Sequence, residues 1–111
     1  MDAFSALAEP TRRNIIEILA QQGQMTSSDI ARRFTATPSA ISQHLKVLRE
    51  ARLVTMQKKA QQHLYTVDSA TLAQLEQWTK ELQSTWDHRF DRLSKVINEK
   101  ENNNGRQEDC N

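Results

Sequence analysis

Glycine and proline are scarce in this 111-residue chain: there are two of each, at Gly23, Gly105, Pro10 and Pro38. So few helix breakers mean that helices should dominate. The one cysteine, Cys110, stands one residue from the end. That excludes an intramolecular disulfide and a multi-cysteine metal site, and nothing nearby supplies a redox partner or lowers the thiol's pKa. No apolar run approaches the roughly 20 residues of a membrane span, and Met1 is followed by acidic Asp2, unlike a secretory leader. The expectation is a cytoplasmic protein with no membrane partner. Three scattered histidines (His44, His63 and His88), no nucleophile-base constellation and no glycine-rich phosphate loop argue against an enzyme, and no cofactor is implied. With 37% hydrophobic and 5% aromatic residues, one chain builds only a modest core that a partner subunit would help complete.

Charge is present but unevenly placed. The net charge is +1, yet residues 1–67 carry nine Lys/Arg against five Asp/Glu, a balance of +4, and residues 68–111 carry six against nine, a balance of −3. A basic front half and an acidic back half point to the front as the part that meets a polyanion.

Along the chain, Phe4 to Leu7 forms a short apolar element. Pro10 suits the first turn of a helix that runs to about Gln22, buries Ile15, Ile16, Ile18 and Leu19 on one face, and stops at Gly23. The cap-forming run Thr26-Ser27-Ser28-Asp29 leads into Ile30, Ala31 and Phe34, a helix of two turns. After a turn at Thr35 and Ala36, Thr37 is placed as N-cap and Pro38 at the first helical position, ahead of Ile41, Leu45 and Leu48. Two short helices in tandem are a helix-turn-helix.

Beyond Ala51 the periodicity becomes extended: Leu53 to Met56 and Leu64 to Val67 flank a polar tip from Lys58 to Gln62, a β-hairpin with a basic end. Asp68 and Ser69 cap a long helix on which Leu72, Leu75, Trp78, Leu82, Trp86, Phe90, Leu93 and Ile97 recur every three or four residues. Gln77, Ser84, His88, Asp91 and Lys95 face away. From Glu99 the polar, Asn-rich sequence reads as a frayed or disordered tail. The expected fold is mainly α with a small β-hairpin, in the order α-α-α-α-β-β-α, with a domain over 1–98, its last helix over about 69–98, and a tail over 99–111.

A helical wheel of residues 37–50 sets Ile41, Leu45 and Leu48 on one side and Ser39, Ser42, Gln43, Lys46 and Arg49 on the other. Hydroxyls, an amide and cations near a helix N-terminus are the groups that address base edges and phosphates in a major groove. Gln43 suits an adenine; Ser39 and Ser42 suit a base or a phosphate. An ordinary solvated helix face has the same polarity, so the wheel alone leaves both readings open.

Ala6-Leu-Ala-Glu-Pro-Thr-Arg-Arg13, Ile15 to Leu19, and Ser42-Gln-His-Leu-Lys-Val-Leu-Arg-Glu-Ala51 with Leu53-Val54 together resemble the ArsR/SmtB family of winged helix-turn-helix repressors. The resemblance spans about residues 1–98. It implies a homodimeric repressor of double-stranded operator DNA, released by a signal. Ser39, Ser42, Gln43 and Lys46 match the reading positions, with Thr37 and Arg49 at either end. His44 matches a histidine near the phosphate backbone, but it also borders the apolar stripe, so packing is equally open. Lys58, Lys59, Gln61, Gln62 and His63 match the wing, with glutamines where several arginines are usual. Arg52 and Ala60 stand where the family has glycine.

The thiolate motif that many such proteins use for metal here reads Met25-Thr-Ser-Ser-Asp-Ile-Ala31 and contains no cysteine. Asp87, His88 and Asp91 lie on the polar side of the long helix and read as a solvated face, so no metal site is assigned. Phe4, Leu7, Leu75, Trp78, Leu82, Trp86, Phe90 and Leu93 are assigned to a dimer interface through the first and last helices. A small apolar effector pocket among the tryptophans is the alternative for that stripe. For the whole chain, the alternatives are a protein-interaction module on the same fold and a metal-responsive repressor with an atypical site.

Overall fold

The computed structural model describes residues 2–103 and has the expected mainly helical architecture. The elements are α1 (Ala3–Leu7), α2 (Pro10–Gln22), β1 (Met25–Thr26), α3 (Ser27–Ala31), α4 (Pro38–Glu50), β2 (Val54–Lys59), β3 (Gln62–Val67) and α5 (Ser69–Asn103). Contacts divide the chain into two units between Ala73 and Gln74, inside α5.

In the first unit, each helix begins where a side chain satisfies an otherwise unpaired backbone amide. Asp2 accepts from the Ser5 amide at 2.7 Å, Glu9 from Arg12 at 3.0 Å, Thr26 from Asp29 at 3.1 Å and Thr37 from Ala40 at 3.1 Å. Asp68 accepts from Ala70 and Thr71 at 3.0 and 3.3 Å to start α5. Gly23, at φ 86°, ends α2 by donating its amide to the Leu19 carbonyl at 2.7 Å.

The core of this unit is Ile15, Leu19, Ile30, Ile41, Leu45, Leu48 and Leu53, all essentially inaccessible to solvent, with Ala6, Met25, Val54 and Tyr65 around them. At about 1.5–3 kcal/mol per buried aliphatic side chain, this cluster is the main force holding α4 to the domain.

Four expectations change. A three-stranded antiparallel sheet in the order β1-β3-β2 replaces the two-stranded hairpin, because Met25 and Thr26 pair with Tyr65 and Leu64. The polar tip shrinks to Ala60 and Gln61, since Lys58 and Lys59 continue β2 opposite His63 and Gln62. A ladder needs only backbone partners, so polar side chains do not end it. The helix before Phe34 is one turn, closing at Ala31 with Arg32 as C-cap.

The fourth change is in α5, which continues through Asn103, five residues past the expected boundary at 98. The rest of the expected tail, with Cys110, lies outside the described residues. The second unit is described only as the remainder of α5. Its Trp78, Leu82, Trp86, Phe90, Leu93, Val96 and Ile97 are all about half exposed or more.

Candidate nucleic-acid interface

α4 is set by its ends. Thr37 is extended (φ −69°, ψ 154°) as an exposed N-cap and Pro38 takes the first turn, so the helix start is sharp. At the other end the Leu53 amide donates to the Leu48 carbonyl at 2.9 Å and the Arg52 amide to Arg49 at 3.0 Å, a Schellman closure with Arg52 left-handed at φ 62°.

Between these ends Ile41, Leu45 and Leu48 are buried, whereas Ser39, Ser42, Gln43, Lys46 and Arg49 are exposed. With 3.6 residues per turn, Ser39, Ser42, Gln43 and Lys46 fall within an arc of about 100°, bordered by Arg49. The acid Glu50 shares that arc only at the far end of the helix, so the first three turns offer donors and a cation with no competing carboxylate.

His44 is placed differently from these five. Its ring is half-buried and turned toward α2, with Nδ1 3.3 Å from Arg12 Nη1 and 3.9 Å from Glu9 Oε2. Burial raises the Glu9 carboxyl's pKa. The hydrogen bond from the Arg12 amide and the neighbouring His44 and Arg12 outweigh that, holding the carboxyl below the ordinary glutamate range.

The wing residues Lys58, Lys59, Gln61, Gln62 and His63 are all exposed. Lys58 and Lys59 are consecutive in β2, so their side chains leave on opposite faces of the hairpin and cannot address one phosphate together. Ala60 turns the chain at φ 55°.

Two shallow hollows adjoin α4 and the wing. One joins Ser42 and Pro38 to Ser27, Ser28 and Arg32, and the other joins Gln61, Gln62 and His63 to Ser28 and Arg32. Arg32 therefore lies beside both the exposed face of α4 and the flank of the wing, a position not singled out from the sequence. The adjacent pair Arg32-Arg33 just before α4 was the available signal. Arg32 is tied to Asp29 at 2.8 Å, an exposed pair of little net stability.

Of the residues assigned to an interface, Phe4 is half exposed on α1 and Leu7 partly covered. On α5, Leu75 is partly covered, whereas Trp78 is 50%, Trp86 64% and Phe90 59% exposed, with Leu82 and Leu93 in the same range. Among the described residues, no three His, Cys, Asp or Glu side chains gather as metal ligands, and no helix is long and apolar enough to cross a membrane.

Comparison with known proteins places this geometry. Residues 9–56 match the family described as bacterial regulatory protein, arsR family. The transcriptional repressor SdpR of Bacillus subtilis is 34% identical over 77 residues, covering 69% of this chain and 84% of that protein. The HTH-type transcriptional regulator Rv2034 of Mycobacterium tuberculosis is 40% identical over 85 residues, covering 72% and 78%. Among solved structures, an ArsR-like transcriptional regulator from Rhodococcus sp. RHA1 superposes with a TM-score of 0.76 at 26% identity, covering 84% of this chain and 87% of that one.

Proposed function

The chain belongs to the ArsR family of bacterial transcriptional regulators, and from that premise we propose that it is a homodimeric repressor that reads a palindromic operator with α4. The observation that carries this reading is the division of α4: buried Ile41, Leu45 and Leu48 fix the helix, and Ser39, Ser42, Gln43 and Lys46 stand exposed in one arc at its N-terminal end. Gln43 suits an adenine edge, Lys46 a phosphate or guanine, and the two serines either. Thr37, Arg49, Arg32 and the wing lysines add backbone contacts. With glutamines at Gln61 and Gln62, the wing contributes less charge than an arginine-bearing one.

Self-association is supported by the run of large apolar side chains from Trp78 to Ile97, each about half exposed or more in one chain. Continuous exposed apolar surface of this kind is costly for a protein that remains monomeric. Phe4 and Leu7 join that interface in this reading. Two-fold pairing sets two copies of α4 about one DNA turn, roughly 34 Å, apart, so the operator is an imperfect palindrome.

Repression then follows from exclusion of polymerase in the cytoplasm, where the protein sits on the nucleoid when bound. Release comes from a signal other than a thiolate-bound metal, because Met25–Ala31 holds no cysteine. The inducer acts by favouring a dimer whose helices no longer match the operator spacing. The test is a mobility shift with DNA from upstream of the chain's own coding region against unrelated DNA of equal length. A retarded band selective for the upstream fragment supports the proposal, and equal binding to both fragments, or none, contradicts it.

A further inference from the structure

We propose that Arg12 is a positioning residue for the reading helix: its guanidinium joins the C-terminal end of α1 to His44 of α4 and holds the His44 ring as the Nε2–H tautomer. The proposal rests on the reading of α4 given above. A guanidinium has five N–H donors in a planar fork and no acceptor. Arg12 Nε donates to the Ala6 carbonyl at 2.6 Å, and Nη1 lies 3.3 Å from His44 Nδ1. Because arginine only donates, Nδ1 must be the acceptor, which places the ring proton on Nε2.

The Arg12 amide meanwhile donates to Glu9 Oε2, the N-cap of α2, and that oxygen lies 3.9 Å from the same Nδ1. One residue of α2 therefore touches an orphan carbonyl of α1 and a side chain one position from the reading residue Gln43. The fork fixes the angle between its two bonds, which a lysine ammonium cannot do.

Arg13 supplies an internal control. Its Nη1 donates to the Leu7 and Ala8 carbonyls at 2.8 and 3.1 Å, so it also caps α1, with no bond to His44. Losing Arg13 loosens α1 alone; losing Arg12 also frees the His44 ring on α4. His44 is on this account the positioning partner of Arg12.

The experiment combines histidine-ring nitrogen NMR with DNA binding for the full chain and the variants Arg12→Ala, Arg12→Lys and Arg13→Ala, with the His44 ring assigned through His63→Gln and His88→Gln. The expected result is the Nε2–H tautomer in the wild type and in Arg13→Ala, and mixed tautomers in both Arg12 variants. Both Arg12 variants should lose about three- to tenfold in operator affinity, the worth of one hydrogen bond. The salt dependence should stay unchanged, because no phosphate contact is removed.

A ring protonated at Nδ1 in the wild type overturns the proposal, as does a tautomer that survives in the Arg12 variants, or an operator affinity in them equal to the wild type's. If Arg12→Ala does not fold, Arg12→Lys and the wild-type ring decide the matter. A wild type that binds no DNA removes the reading of α4 itself and the positioning role with it. DNA binding at wild-type strength by the Arg12 variants removes only the positioning role.

Discussion

The amide of Leu53 donates to the carbonyl of Leu48 across 2.9 Å, and the residue that lets the chain double back between them is Arg52, exposed and left-handed at φ 62°. A non-glycine residue there costs about 1–2 kcal/mol, whereas glycine gives back about 0.4–1 kcal/mol in unfolded-chain entropy. Arg52→Gly should therefore stabilise the domain by about 0.5–1 kcal/mol, read as a rise in the urea midpoint at constant slope. Ala60→Gly, at φ 55° in the wing turn, should act in the same direction. A fall in midpoint for both would contradict the strain assigned here.

The start of α4 depends on one hydroxyl. Thr37 Oγ1 accepts from the Ala40 amide at 3.1 Å. Thr37→Ala should cost about 1 kcal/mol of stability, and Thr37→Ser much less. Denaturant titration of the two variants side by side checks this, and equal losses would show that the cap contributes nothing.

The aromatic face of α5 makes a prediction about assembly. Trp86, 64% exposed in one chain, is buried in the proposed dimer. Trp86→Asp should give a folded monomer by sedimentation, with circular dichroism reporting retained helix, because an unpaired carboxylate is costly in an apolar interface. A dimer of wild-type strength would contradict the assignment of α5.

Glu9 makes a prediction about pH. Its carboxyl is held below the ordinary glutamate range in the fold, so its contribution to stability is complete above that range and disappears as pH falls through the depressed value. Wild type should therefore exceed Glu9→Gln in stability at neutral pH, and the gap should narrow as the pH falls below the ordinary glutamate range. A gap that widens in acid would give the wrong sign.

How far the sequence carried these conclusions differs from element to element. The bounds of α2 and α4 were legible because Pro10, Gly23, Thr37 and Pro38 are local signals that act within one turn. β1 was not: two residues carry no periodicity, and Met25 and Thr26 become a strand only by pairing with Tyr65 and Leu64 far along the chain. Lys58 and Lys59 looked like a tip because they are polar, yet their place was decided by backbone register. The exposed arc of α4 followed from helical geometry alone. The turn of His44 toward Arg12, 32 positions away, depended on tertiary packing that no local pattern encodes.

The most direct test of DNA reading by α4 is fluorescence anisotropy of the wild type and of Gln43→Ala with Lys46→Ala, on the upstream fragment of the mobility shift, across a range of salt. Wild-type affinity should fall steeply with salt. The double variant should bind about tenfold or more weakly, with a salt slope shallower by about one unit, while remaining a dimer. A double variant that binds the operator with unchanged affinity and slope would contradict the assignment of α4 as the DNA-reading helix.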